Sequence, residues 1–336
     1  MADQLDSVIA VPRPVTLIAT LLTALTTLAA AGCAADGKST SARRTVEVSK
    51  FELNKPGLLD QAFAPDRLRG VDVCATLQAI DLGRFGAPAP EFTPDGLGTC
   101  SNYMKDRDGK SFNVTLYFDE KVSDVGAHRI GGLPAAIYDN GSGSCFTSVA
   151  YAGADAEQFA DPRGLEIQLS SGQADVCSPA VQILTDVVDV VRTKPPVSPR
   201  TSGGLAGFDP CEILDPAAIR DAAMGSPANS AGGEGLYSCE WSAENSVLVT
   251  VNFGVGALES SPLPPVDLTG VPGLVVPGSS DPPTCAVEWE HRKNANAAGE
   301  SEFVQIEIMN MGRTPMDPCA NATNLAKQAR AKLPAA

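Results

Sequence analysis

Histidine is nearly absent from this chain: His128 and His291 are the only 2 in 336 residues. An imidazole base beside a serine or cysteine nucleophile needs a third group to orient it, and no motif around either histidine supplies one. Aromatic residues are also scarce, at 5 %, so packed cores must rest on Val, Leu, Ile and Ala. Basic residues are outnumbered, 25 against 40 acidic ones, for a net charge of -15. A surface of that sign cannot replace the counterions along a phosphate backbone, which argues against nucleic acid as a partner. The signatures GxxxxGK[ST], GxGxxG after a strand and HExxH do not occur, and no cofactor, metal or catalytic residue is expected.

Cysteine, by contrast, is plentiful and odd in number, at 9. From Val15 the chain runs VTLIATLLTALTTLAAAGC, an uncharged stretch with Arg13 just upstream and small residues at its end. That is the order of a secretory signal peptide, and the run is short for a membrane span of about 20 residues. The residues Leu28, Ala29, Ala30, Ala31 and Gly32 before Cys33 resemble the lipobox of bacterial lipoproteins, with Ala30 where that family usually has Leu. The resemblance implies a signal peptide over 1–32 and acylation of Cys33, palmitate included. It also implies a protein held at the cell membrane on its extracytoplasmic face, since two or more acyl chains anchor stably where one does not. The first ten residues, MADQLDSVIA, are acidic and unlike an n-region; translation is expected to start near Val11.

The other eight cysteines fall into two sets, Cys74, Cys100, Cys145 and Cys177, then Cys211, Cys239, Cys285 and Cys319, with successive spacings of 26, 45 and 32 and of 28, 46 and 34. Flanking residues agree as well. Gly70-Val71-Asp72-Val73-Cys74 matches Gly207-Phe208-Asp209-Pro210-Cys211, and Gly96-Leu97-Gly98-Thr99-Cys100 matches Gly235-Leu236-Tyr237-Ser238-Cys239. An internal repeat is the reading, with copies over 67–193 and 207–336. Four cysteines per copy allow three pairings; sequential pairing is expected, in a compartment that permits disulfides. A tetracysteine zinc site is disfavoured because neither copy has a C-x-x-C spacing.

Each copy reads as α+β, an antiparallel sheet with helices at its two sequence ends. Val247, Val249 and Val251 alternate with Leu248, Thr250 and Asn252 as a strand requires. Val181, Leu184, Val187, Val188 and Val191 share one helical face. Asp215-Pro216 and Asp317-Pro318 mark helix starts, and a Pro/Gly-rich loop is expected after Gly270-Val271-Pro272. Residues 33–66 read as a neutral flexible tether, and 194–206, KPPVSPRTSGGLA, as a semi-flexible linker. The acidity resides in the copies, about -7 over 67–192 and -9 over 207–336.

Three sequence features invite functional readings. Ser142 and Ser144 in NGSGSC suggest a serine turn but are ordinary loop chemistry. Asp106, Asp108 and Gly109 in DRDGKS suggest a calcium loop without its terminal Glu, and a hairpin turn is expected. Trp241 and Trp289, both in the second copy, are candidate ligand-binding aromatics, with packing against the neighbouring disulfides as the competing reading. Asn102 stands where Trp241 aligns.

The segment DPCEILDPAAI, followed by Leu236-Tyr237-Ser238-Cys239-Glu240-Trp241, resembles an actinobacterial lipoprotein family carrying a domain of unknown function with a D-P-C and C-x-W signature. The first copy carries it in degenerate form. A looser similarity of layout links the chain to disulfide-bonded sensor domains of actinobacterial serine/threonine kinases. The family has no defined catalytic residues, so the resemblance implies an envelope lipoprotein without assigning an activity. The expected function is a non-enzymatic module that binds an unidentified small molecule or protein in or between the copies. The alternatives are an envelope-polymer enzyme using paired carboxylates and an assembly partner of a membrane complex.

Overall fold

Strands that alternate apolar and polar residues need a cover for their apolar face, and in both halves of this chain a long helix supplies it. The structure is a computed structural model; it describes residues 57–336 apart from 124, 126, 127, 154–161, 171–174, 198–202, 226, 227, 232–234, 259–262, 294–299, 335 and 336. The lipobox cysteine Cys33 and the signal segment lie outside the described residues.

The first sheet is built from β1 (Gly57–Leu58), β2 (Ala87–Pro88), β3 (Thr93–Pro94), β4 (Thr99–Lys105), β5 (Ser111–Lys121), β6 (His128–Ile130), β7 (Leu133–Asp139), β8 (Ser144–Gly153) and β9 (Arg163–Ser170). The second is built from β10 (Ala228–Ala231), β11 (Ser238–Ala243), β12 (Val247–Gly256), β13 (Pro265–Asp267), β14 (Pro272–Ser280), β15 (Pro283–Lys293) and β16 (Ser301–Asn310). Their spatial orders are β2-β4-β5-β9-β8-β7-β6, with β1 on β8 and β3 on β4, and β10-β11-β12-β16-β15-β14-β13. From β4 and from β11 onward the two paths have the same connectivity, and the pairings are antiparallel. The helices are α1 (Pro65–Leu68), α2 (Val73–Gln78), α3 (Cys177–Thr193), α4 (Pro216–Ala222) and α5 (Pro318–Lys332). The class is α+β. Both sheets lie within one compact unit, so the expected pair of separate domains takes the form of two sheets sharing a seam.

Helix α3 covers the first sheet with Ile183, Leu184, Val187, Val188 and Val191, all buried, while Val181 is only partly so. Helix α5 covers the second with Ala322, Leu325, Ala326 and Ala329. The disulfides are Cys74–Cys100, Cys145–Cys177, Cys211–Cys239 and Cys285–Cys319, the sequential pairing. Each joins a strand to the helical segment lying on it, α2 to β4, β8 to α3, the 3-10 turn Pro210–Glu212 to β11, and β15 to α5.

Local expectations were met unevenly. Asp317 caps α5 by accepting from the backbone N–H of Cys319 and Ala320. Asp215 occupies the corresponding position before α4 but makes no side-chain cap bond; its carboxylate pairs instead with Lys332 Nζ at 2.7 Å. The expected loop after Gly270-Val271-Pro272 is strand β14, because Leu274, Val275 and Val276 pair across to β15 and the register slips only between Pro277 and Ser280. The expected tether also ends early. Residues 57–66 are folded: Leu59 N–H bonds Tyr151 O at 2.8 Å, and Phe63, fully buried, stacks on Tyr151 at 6.1 Å. The linker is fastened at both ends, Pro196 O accepting from Asp72 N–H at 2.9 Å and Leu205 N–H bonding Glu302 at 2.8 Å.

Candidate functional site

Two places concentrate polar chemistry, the seam between the sheets and the face of the first sheet turned away from α3. At the seam the matching turns Gly96-Leu97-Gly98 and Gly235-Leu236-Tyr237 meet the opposite core. Leu236 is buried in the first core and Leu97 packs on the second. Tyr237 touches both, and a Cβ on Gly98 would lie 3.2 Å from its ring, so that glycine permits the approach.

Around this contact Arg69, 7 % exposed, bonds Asp66 at 2.5 Å, Asp209 at 2.9 Å and Leu236 O at 3.4 Å. Asp119 accepts from Leu236 N–H and, at 3.1 Å, from the Tyr151 hydroxyl. Burial raises the Asp119 carboxyl above the usual range, with Arg163 pulling the other way. Burial also pushes the Tyr151 and Tyr237 phenols up. Arg69 and Asp119 spend their polar atoms on the two halves themselves. The cluster is a fastening.

The exposed face of the first sheet is different. Strand alternation sends Cys100, Leu116, Ile167 and Val149 to the core and their neighbours outward. Cross-strand pairing then aligns three outward rows. Tyr103, Asn113, Ser170 and Ser144 form the first; Ser101, Thr115, Gln168, Phe146 and Tyr138 the second; Thr99, Tyr117, Glu166, Ser148 and Ala136 the third. Ser101 and Thr115 share a hydrogen bond of 2.9 Å, Asn113 Nδ2 donates to Thr115 at 2.9 Å, and the Tyr117 hydroxyl donates to Gln168 at 3.1 Å. Ser148 donates to Glu166 at 2.8 Å. The Tyr138 and Phe146 rings lie 6.2 Å apart. Burial raises the Glu166 carboxyl; burial and the Glu166 charge together raise that of Glu120.

The equivalent face of the second sheet satisfies itself. Ser238 donates to Asn252 at 2.6 Å, Asn252 to Gln305 at 3.0 Å and Gln305 to Glu288 at 2.6 Å. A solvent-open hollow of about 400 Å³ at the end of this sheet is lined by Asp281, Asn310, Arg313 and Met316 among others, with Arg313 paired to Asp281 at 2.7 Å.

The residues singled out from the sequence lie elsewhere, and both tryptophans are buried side chains. Trp241 is 6 % exposed and Trp289 0 %, both in the second core, so neither indole offers a face to a ligand from solvent. Asn102 is fully buried too. It replaces the indole with hydrogen bonds to Ala89 N–H, Ala89 O and Glu91 O at 3.0–3.1 Å. His291 is buried and bonds Gly203 O at 2.7 Å, whereas His128 is exposed on β6. Asn140 holds the serine turn by accepting from Ser142 and Ser144 N–H, and Asp106 turns the β4–β5 hairpin by accepting from Asp108 and Lys110 N–H. The residues that sequence reasoning passed over are Arg69 and Asp119 at the seam and Tyr103, Tyr138 and Gln168 on the open face.

Residues 191–332 match a family model described as a protein of unknown function (DUF3558). The match opens in the last turn of α3 and closes at the end of α5, enclosing the whole second sheet. No curated protein and no solved structure matches the chain.

Proposed function

We propose that the chain is a lipid-anchored binding module on the extracytoplasmic side of the cell membrane, built by duplication of one domain, with its ligand on the open face of the first sheet. That face carries the reading: it presents two exposed aromatic rings, Tyr103 and Tyr138, over a hydrogen-bonded network of amides, hydroxyls and a carboxylate on rigid strands. Four strand-to-helix disulfides support folding in an oxidising compartment, and the lipobox-like residues before Cys33 support the anchor. The matching strand orders and cysteine spacings support duplication, and the D-P-C and C-x-W residues at 209–211 and 239–241 support an origin among actinobacterial lipoproteins.

A second reading, an enzyme acting on envelope polymers, draws on Glu120 and Glu166, whose carboxyls are both raised. Raised carboxyls suit proton donation, but that reading also needs a second, ionised carboxylate across a bound substrate.

Two measurements test the proposal. Cys33→Ala is expected to move the protein from the membrane fraction to the soluble fraction; retention in the membrane defeats the anchor. Native mass spectrometry of the protein purified from its own host is expected to show a bound mass that Tyr138→Ala loses. A protein that carries no added mass, or keeps it in the variant, defeats the assignment of the face.

A further inference from the structure

The open face of the first sheet also has a definite chemical character. Tyr103 and Tyr138 are 64 % and 63 % exposed. They stand on β4 and β7, four strand steps apart in the sheet order, roughly 19 Å at the usual interstrand spacing. Between them lie Ser144, Gln168 and Ser170, half-buried side chains of the same outward rows that supply an amide and hydroxyl groups. The three outward rows contain no cation, and the chain as a whole is strongly acidic, which disfavours anionic ligands. The two rings are separated by polar groups, so the face lacks the contiguous apolar patch of a protein-docking surface.

We propose that this face binds a neutral oligosaccharide chain, with Tyr103 and Tyr138 stacking on sugar rings at its two ends and Ser144, Gln168 and Ser170 hydrogen-bonding the hydroxyls between. The inference rests on reading this face as the binding face. Sugar rings present C–H faces that pack on aromatic rings, and vicinal hydroxyls match planar amides that donate and accept side by side. The spacing of the tyrosines asks for an extended chain of several sugars.

The test titrates the full chain in neutral detergent with uncharged hexasaccharides of glucose, mannose and galactose, followed by calorimetry and by the ring signals of Tyr103 and Tyr138. At least one hexasaccharide is expected to bind and to shift both rings, and its disaccharide to bind far more weakly. Tyr103→Ala and Tyr138→Ala should each weaken binding by about tenfold or more, the loss of one anchoring ring, while Tyr138→Phe, which keeps the ring, should change it little. Both rings are exposed, and unchanged melting temperatures would show that the variants are folded. If no hexasaccharide binds but the host-derived mass still depends on Tyr138, the saccharide assignment fails and the binding face stands. If the host-derived mass is also absent, both fail. Saccharide binding that survives the loss of both rings puts the site elsewhere and overturns both.

Discussion

Leu97 and Leu236 occupy matching positions in the two halves, yet each packs on the core of the other half. The reciprocity is that of a two-fold interface, here made within one chain. Leu236 is 2 % exposed, so Leu236→Ala removes apolar contacts from a core to which its own half of the chain does not belong. A loss of about 2–5 kcal/mol is expected for a buried Leu→Ala change. Because the deleted side chain belongs to the first core and its backbone to the second half, protection should fall together in β9 and β16. Hydrogen exchange read at both strands checks this; loss in one alone would show that the halves unfold independently.

Arg69 is the ionic counterpart of that exchange. It is nearly buried and divides its guanidinium between Asp66, Asp209 and Leu236 O, so truncation leaves partners behind at a partly enclosed site. Arg69→Met is expected to cost about 3 kcal/mol, as for a broken buried pair. Asp209→Asn should cost less, since Asp209 lies more exposed and its other oxygen still accepts from Cys211 N–H. A double-mutant cycle in urea should give a coupling of about 0.5–3 kcal/mol. Zero coupling would mean that the pair does not help hold the seam.

How far the sequence reached depended on the distance over which each signal acts. The alternation of Val247, Val249 and Val251 and the α3 stripe are local periods, and both came through. The disulfides came through because partners 26 to 34 residues apart join successive elements. The tryptophans were legible on a second physical point: Trp241 lies two residues after Cys239 and Trp289 four after Cys285, so each shares the strand face of a cysteine bonded to a covering helical segment. That face is the core. Arg69 and Leu236 are 167 residues apart and Asp119 and Leu236 117, and no local pattern encodes such contacts. Tyr103 and Tyr138 come to share a face only through the strand order.

Removal of the Cys145–Cys177 bridge tests what the staples do. It closes a separation of 32 residues, for which chain entropy gives about 3–4 kcal/mol. The double variant Cys145→Ala/Cys177→Ala should unfold at correspondingly lower urea, with amide protection falling most in the first turns of α3, the end that the bridge pins to β8. Since the remaining turns keep their buried face, the fold itself should persist, as circular dichroism would show. An unchanged midpoint would mean that the bridge restrains nothing that packing does not already hold.

Asp119 gives the seam a pH dependence whose sign follows from its surroundings. Burial holds its carboxyl above the ordinary value of 3.8, so between that value and the raised one the folded chain binds more protons than the unfolded chain. Stability from this group is therefore greatest at low pH and declines as pH rises through that window. Asp119→Asn carries no titrating group. It sacrifices one of the two acceptors that meet Leu236 N–H and the Tyr151 hydroxyl, which sets a constant cost, but it removes the slope. The variant should therefore be least favourable relative to the parent near about pH 4, the carboxylate range, and gain on it steadily as pH is raised toward neutrality. Thermal melts of both proteins across that range measure the difference; a constant gap would show that Asp119 ionises as freely in the folded chain as in the unfolded one, and a gap that widens with pH that it ionises more readily when folded.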